Sequence, residues 1–139
     1  MKISHVDVRL VSTWPSEEIV ALYRAGGWWK ESYDPSGIPS LIRNSTAFAV
    51  AVHEDRAIGM GRLISDGVSD AYIQDLVILP AYRGHGIGKK IVNALLNHCL
   101  EKGILWIALI AEPGRREFFT SLGFKEMKGH VPMRYRTEE

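Results

Sequence analysis

One stretch, "YIQDLVILPAYRGHGIGKKIVNALLNHCLEKG" (residues 72–103), constrains the fold of this chain more than any other. Its first part, ending "LVILP", is nearly all apolar, as in a strand covered on both faces, and Pro80 closes it. Its last part repeats Ile87, Ile91, Leu95 and Cys99 at steps of four, with Val92 and Leu96 alongside, which is one apolar stripe of a helix that Gly103 stops. Between them lie Gly84, Gly86 and Gly88 at alternate positions, beside Arg83, Lys89 and Lys90. A strand that feeds directly into a helix exposes the helix's first N–H groups, and those groups bind anions. Glycines let a backbone approach phosphate oxygens closely, and arginine can grip phosphate with two donors. The junction therefore has the chemistry of a pyrophosphate cradle.

Around this unit the chain reads as further short elements. Residues 5–11 alternate like a strand. Pro15 suits a first helical position, and Glu17 and Glu18 suit the positive end of a helix running toward Arg24. "AGGWWKESYDPSGIPS" has loop composition, and a short helix is expected near Leu41. "TAFAVAVHEDRAIGMGRLIS" reads as a hairpin turning at "HEDR", and "DGVSD" as a second turn. "ILWIALIAE" reads as another buried strand, "GRREFFTSL" as a short helix ended by Gly123, and "FKEMKGHVPMRYR" as two last strands. The order β-α-α-β-β-β-α-β-α-β-β requires a mixed sheet flanked by helices, an α/β fold in a single domain over residues 1–139.

Composition excludes some partners. The formal net charge is +1, without the basic excess of a nucleic-acid binder. No apolar run approaches the ~18 residues of a membrane span. The N-terminus alternates and lacks a signal-peptide core, so the expected location is cytoplasmic. The single cysteine, Cys99, lies on the apolar stripe and is expected to be a buried thiol rather than a nucleophile. His5, His53, His98 and His130 show no metal-ligand spacing, so no metal is expected.

The glycine loop fits neither of two common phosphate motifs. For G-x-x-x-x-G-K-[ST], Gly84 to Gly88 is one residue short and Lys90 replaces the hydroxyl; for G-x-G-x-x-G, the third glycine comes one residue early. It does fit Q/R-x-x-G-x-G/A, filled by Arg83, Gly86 and Gly88. With the strand before it, the helix after it, and "FFTSLGF" some way on, the chain resembles the GNAT superfamily of acetyl-CoA-dependent N-acetyltransferases.

That resemblance implies a cosubstrate, acetyl-CoA. Pantetheine would pair with strand backbone around Val77 and Ile78, where this strand splays from the next. Arg83 and the amides of Gly84, His85, Gly86, Ile87, Gly88 and Lys89 would hold the pyrophosphate. A backbone N–H on the splayed strand would polarise the thioester carbonyl, and the amine would attack without an acyl-enzyme. An alkylamine must lose a proton before attack, its pKa being near ~10 like that of lysine. Asp75 and Tyr72 are the candidate catalytic residues on this strand, with a structural pairing of Asp75 to an arginine or a backbone group as the alternative. In a regular strand Asp75 would face away from Tyr72 and Gln74, and a bulge would re-aim it. Asp66, in the turn before this strand, either lines the acceptor site or closes the turn. Family members often protonate the leaving thiolate with a tyrosine where this chain has Phe119, which cannot donate. Acceptor binding is assigned to Trp28, Trp29 and Arg62, the alternatives being that one tryptophan plugs the core edge and that Arg62 is a solvated strand residue.

The resulting reading is transfer of acetyl to a primary amine of a small molecule. Two alternatives stay open: a protein N-terminus or lysine as acceptor, and an acyl-CoA-binding module with little turnover. The family's last strands often mediate dimers, so a homodimer is a further expectation.

Overall fold

A computed structural model describes residues 3 and 5–137 and divides the chain into two compact units between Leu109 and Ile110. The first unit carries a five-stranded sheet in the order β1-β2-β3-β4-β5: β1 Asp7–Leu10, β2 Ala47–His53, β3 Arg56–Ser65, β4 Asp70–Ile78 and β5 Trp106–Leu109. The first four strands run antiparallel and β5 pairs parallel to β4, so the sheet is mixed. The β2–β3 turn places Glu54 and Asp55 both at positive φ, the geometry a tight hairpin needs.

One face of the sheet is covered by α1 (Ser16–Ala25) and α2 (Ile38–Asn44). Ile19, Leu22, Ile42, Phe48, Val50, Met60 and Val77 form one buried cluster there. Pro15 stands just before the first helical residue, and Glu18 does more than favour the helix dipole. Its Oε1 accepts from the Trp14 indole at 3.0 Å and from the Ala57 amide at 2.7 Å, which pins the helix start to β3.

The other face takes α3 (Ile87–Glu101), the helix whose stripe was legible in the sequence. Ile91, Leu95 and Cys99 are fully buried and Ile87 nearly so. Each apolar side chain of this kind contributes roughly 1.5–3 kcal/mol. Two glycines in β3 let the helix settle. A Cβ on Gly59 would lie 2.6 Å from Ile78 Cδ1, and one on Gly61 would lie 2.9 Å from Ile91 Cγ2. Their spacing of two puts both on the same face of the strand.

The strands differ from expectation in their exposure. β4 is covered on both faces only toward its end; at its start it alternates, with Tyr72 and Gln74 exposed. β5 is shorter than expected, four residues at an edge, and Trp106 is 44% exposed. An apolar run marks a strand that can be buried, but the neighbours that bury it lie elsewhere in the chain.

In the second unit, α4 (Arg116–Ser121) ends as expected before Gly123, which has a φ of +100°. Phe119 is buried, edge-on to Phe118 and Phe124. The two strands expected in residues 124–136 do not form: residues 124–137 have no ladder partner among the described residues, and Val131, Met133 and Tyr135 are 73%, 90% and 88% exposed. Alternation gives such a segment a face but not a partner, Pro132 removes a ladder donor, and two strands alone are marginal in water.

The seat of α3 on β3 yields a stability prediction. Gly61→Val overpacks the contact with Ile91 and is expected to cost about 1–3 kcal/mol in urea unfolding. An unchanged midpoint would mean that the helix does not rest on this glycine.

Candidate active site

β4 is the strand on which the site is built. Its pairing with β5 runs from Asp70↔Trp106 to Ile73↔Leu109 and stops there. Its pairing with β3 continues to Gly59↔Ile78. From Gln74 onward, β3 is the only strand that pairs with β4 among the described residues, and the ladder to β5 has ended. Val77 and Ile78, the expected pantetheine partners, lie in this stretch.

The register of β4 changes at the same place. Arg62 is opposite Gln74, and Met60 is opposite Val77, so Asp75 and Leu76 together oppose Gly61. This is a β-bulge, and Asp75 takes a φ of +60° in it. In a regular strand Asp75 would point away from Gln74. The bulge turns it to the α1 face instead, where its Oδ2 accepts from the Tyr23 hydroxyl at 2.8 Å and from Arg62 Nε at 2.6 Å. The ion pair is mostly shielded, with the Arg62 and Asp75 side chains 19% and 22% exposed. Tyr72, Gln74 and Asp75 thus share one face of the strand. The Tyr72 ring stands edge-on to Trp106, with centroids 5.5 Å apart.

After β4 the chain makes a single turn, Pro80–Tyr82, and enters α3. Gly84 and Gly86 both have positive φ, of +81° and +77°, and a Cβ at either would meet no protein atom within 4 Å. Gly86 is the N-cap of α3 in a left-handed conformation, with no side-chain cap. The first amide with an intrahelical bond is that of Lys90, which donates to the Gly86 carbonyl. The amides from Gly84 to Lys89 consequently have no hydrogen-bond partner among the described residues. Successive free amides beside left-handed residues form an anion-binding concavity, which the helix dipole and the nearby lysines reinforce. Arg83 Nε donates to the Ile78 carbonyl at 2.9 Å, so this side chain is anchored at the mouth of the loop. Tyr82 braces the loop from below, its hydroxyl 3.1 Å from Nδ1 of the buried His53. His85 and Lys90 line a cavity of about 270 Å³ with Ile3, His5, Val6 and Ile87.

The other sequence candidates are placed as follows. Trp28 is half-buried: its ring lies against Gly26, where a Cβ would come within 2.6 Å, and meets Tyr23 edge-on at 6.3 Å. Trp29 packs partly on the core and stands edge-on to Tyr33 at 5.5 Å. Arg62 is engaged by Asp75. Asp66 closes the β3–β4 turn by accepting from the Ser69 and Val68 amides, which hold its carboxyl below the usual range. Cys99 is buried, and burial pushes its thiol up. Among the described residues no group of three His, Cys, Asp or Glu could hold a metal ion.

Tyr23 is the site residue that sequence reasoning left unplaced. It lies on the buried stripe of α1 with Ile19 and Leu22, and its hydroxyl reaches Asp75. Burial, and then the charge of Asp75, push its phenol well above the ordinary value of 10.0. The folded chain keeps this proton at pH values where the unfolded chain releases it, so stability falls as pH rises above ~10. Across about pH 10–12 the wild type is expected to lose more unfolding free energy than Tyr23→Phe. Parallel slopes in urea titrations would contradict this burial.

Comparison with known proteins follows the same outline. Residues 10–124 match the model of the Acetyltransferase (GNAT) family. The chain is 31% identical over 119 residues, 81% of its length, to GCN5-related N-acetyltransferase 2, chloroplastic, of Arabidopsis thaliana. It is 34% identical over 112 residues to a Glycine max protein named histone acetyltransferase TAP1, again across 81% of the chain. The match spans 45% and 46% of those two relatives, so the chain corresponds to about half their length. Among solved structures, a GNAT family acetyltransferase from Streptococcus pneumoniae superposes with a TM-score of 0.80 at 24% identity, covering 97% of this chain and 100% of that one. The aminoglycoside N-acetyltransferase AAC(6′)-Iy, solved with CoA, gives 0.74 at 19% identity, covering 96% of each chain. These structural likenesses show the fold. The match of the family model across most of the sequence shows the lineage: this chain belongs to the GNAT acetyltransferase family.

Proposed function

We propose that this chain transfers an acetyl group from acetyl-CoA directly to a primary amine of a small molecule. The observation that carries the reading is the row of free amides from Gly84 to Lys89, placed directly beyond a strand that has lost its neighbour. A pyrophosphate at those amides would direct the rest of the cosubstrate along the open edge of β4, past Ile78 and Val77, toward the bulge at Asp75.

The chemistry then follows from position. The bulge leaves the backbone of its extra residue outside the ladder, and an N–H there can polarise the thioester carbonyl. The amine nitrogen attacks the carbonyl carbon, the C–S bond breaks, and CoA leaves as a thiolate that takes up the proton the newly acylated nitrogen sheds. Its ordinary pKa of ~8.5 makes it a tolerable leaving group without a dedicated acid. The ammonium form of the amine must first give up a proton, and in this reading Asp75, turned to the α1 face by the bulge, takes it. Acceptor contacts come from Tyr72, whose side chain is exposed beside Trp106, and from the loop that carries Trp28 and Trp29. Arg62 acts through Asp75 rather than on the acceptor.

A protein amine is the second reading, favoured by the relative named as a histone acetyltransferase. A binding module without turnover is the third.

Two measurements test the proposal. Titration calorimetry with acetyl-CoA is expected to show binding that Gly86→Val weakens about 100-fold or more, since the added side chain enters the space above the loop and is strained at a φ of +77°. Far-UV circular dichroism checks that the variant folds. Release of free thiol is then followed with small amines, a lysine peptide and free N-terminal peptides in parallel. Release driven by small amines supports the first reading, release with peptides alone the second, and binding without release the third. Unchanged affinity in Gly86→Val would remove the loop from cofactor binding.

A further inference from the structure

The bulge at Asp75 is held more firmly than a strand irregularity requires. A non-glycine residue at a φ of +60° is strained and persists only where its surroundings hold it. Here the hold comes from two elements and converges on one oxygen. Tyr23, on α1, and Arg62, on β3, both donate to Asp75 Oδ2. Neither donor is required by the apolar core, which a phenylalanine and an aliphatic side chain would fill as well.

Tyr23 is also tied to the segment that follows α1. The Trp28 amide donates to the Tyr23 carbonyl at 3.0 Å, the Trp28 ring meets the Tyr23 ring edge-on, and Gly26 has no Cβ because that ring occupies the space. A continuous chain of contacts therefore runs from the Gly26–Trp28 loop, through Tyr23, to the bulge in the cofactor strand and on to Arg62. Tyr23 touches both the loop and the bulge.

We propose that Tyr23 is a positioning residue for acyl transfer: its hydroxyl fixes the Asp75 carboxylate and the β4 bulge in register with the Gly26–Trp28 loop. Arg62 is its counterpart from the sheet side. The proposal rests on the acetyl-transfer reading. It assigns Tyr23 no proton-transfer step, and its phenol, buried against a carboxylate, is kept protonated there. With Oδ2 occupied by two donors, Oδ1 is the oxygen left to meet the acceptor side. Loss of either donor frees the carboxylate to rotate and loosens the strained bulge, while the glycine loop stays untouched.

The test is a kinetic comparison of wild type, Tyr23→Phe, Arg62→Lys, Asp75→Asn and the double variant Tyr23→Phe/Asp75→Asn, using an amine that the wild type acetylates. Tyr23→Phe keeps the ring and its packing, so it is expected to fold. It is expected to lower kcat about 10- to 100-fold and to leave KM for acetyl-CoA within about twofold, the loss appropriate to a hydrogen bond on a charged group. Arg62→Lys keeps the charge but loses the planar donor geometry, and should show the same split. The double variant should be no slower than Asp75→Asn alone, because residues acting as one unit are not additive. Unchanged kcat in Tyr23→Phe, a matching rise in KM for acetyl-CoA, or additive losses in the double variant would each overturn the assignment while acetyl transfer by the wild type stood. A wild type that binds acetyl-CoA but acetylates no amine would bring down both this proposal and the reading beneath it.

Discussion

The end of the β4–β5 ladder at Ile73↔Leu109 is the constraint on which the site depends. A sheet strand ordinarily spends its backbone donors and acceptors on two neighbours. Beyond Ile73, β4 keeps one strand neighbour among the described residues, β3, and on its other edge the Ile78 carbonyl is met by Arg83 rather than by a strand. The bulge falls at the first residues past this point, where β4 fits two residues, Asp75 and Leu76, against Gly61. The two features adjoin: the ladder to β5 ends at Ile73, and the bulge that follows turns the Asp75 carboxylate to the α1 face.

The charge of the loop that follows is local rather than net. The chain is nearly neutral, yet the Gly84–Lys89 amides, the α3 dipole, Arg83 and two lysines concentrate positive potential within two turns of backbone. Amide dipoles fixed by a helix need no reorganisation to meet an anion. Rigid support matters as much as charge. Pro80 and Arg83 close the strand end, Tyr82 leans on His53, and the stripe of α3 is buried over Gly59 and Gly61. The glycines of the loop and those of β3 thus serve different purposes. Gly84 and Gly86 face space that no protein atom fills, and Gly59 and Gly61 leave room for the side chains of Ile78 and of Ile91 on α3.

Legibility followed the range of the interaction. The α3 stripe, the Gly103 and Gly123 stops, the β2–β3 hairpin and the strand–loop–helix junction are set within a few residues, and each appears where periodicity and turn chemistry place it. The burial of β5 and the last two strands did not follow, because both depend on partners distant in sequence. Asp75 shows the boundary within one residue. Strand alternation alone turns it away from Gln74, and a two-against-one register with β3 turns it back. The sequence leaves Tyr23 unplaced, because its hydroxyl meets Asp75 across 52 positions, a separation at which no pattern of spacing operates.

By itself the sequence determined the pyrophosphate-type loop, the helix behind it and a mixed α/β order, since those rest on backbone geometry, helix dipoles and the burial of one apolar stripe. Only the tertiary structure decided which face Asp75 takes, that Arg62 and Tyr23 converge on it, and that Trp28 lies against Tyr23. The physical reason is that side-chain direction in a sheet depends on register, and register is settled by pairing between strands and packing against helices that no local segment contains.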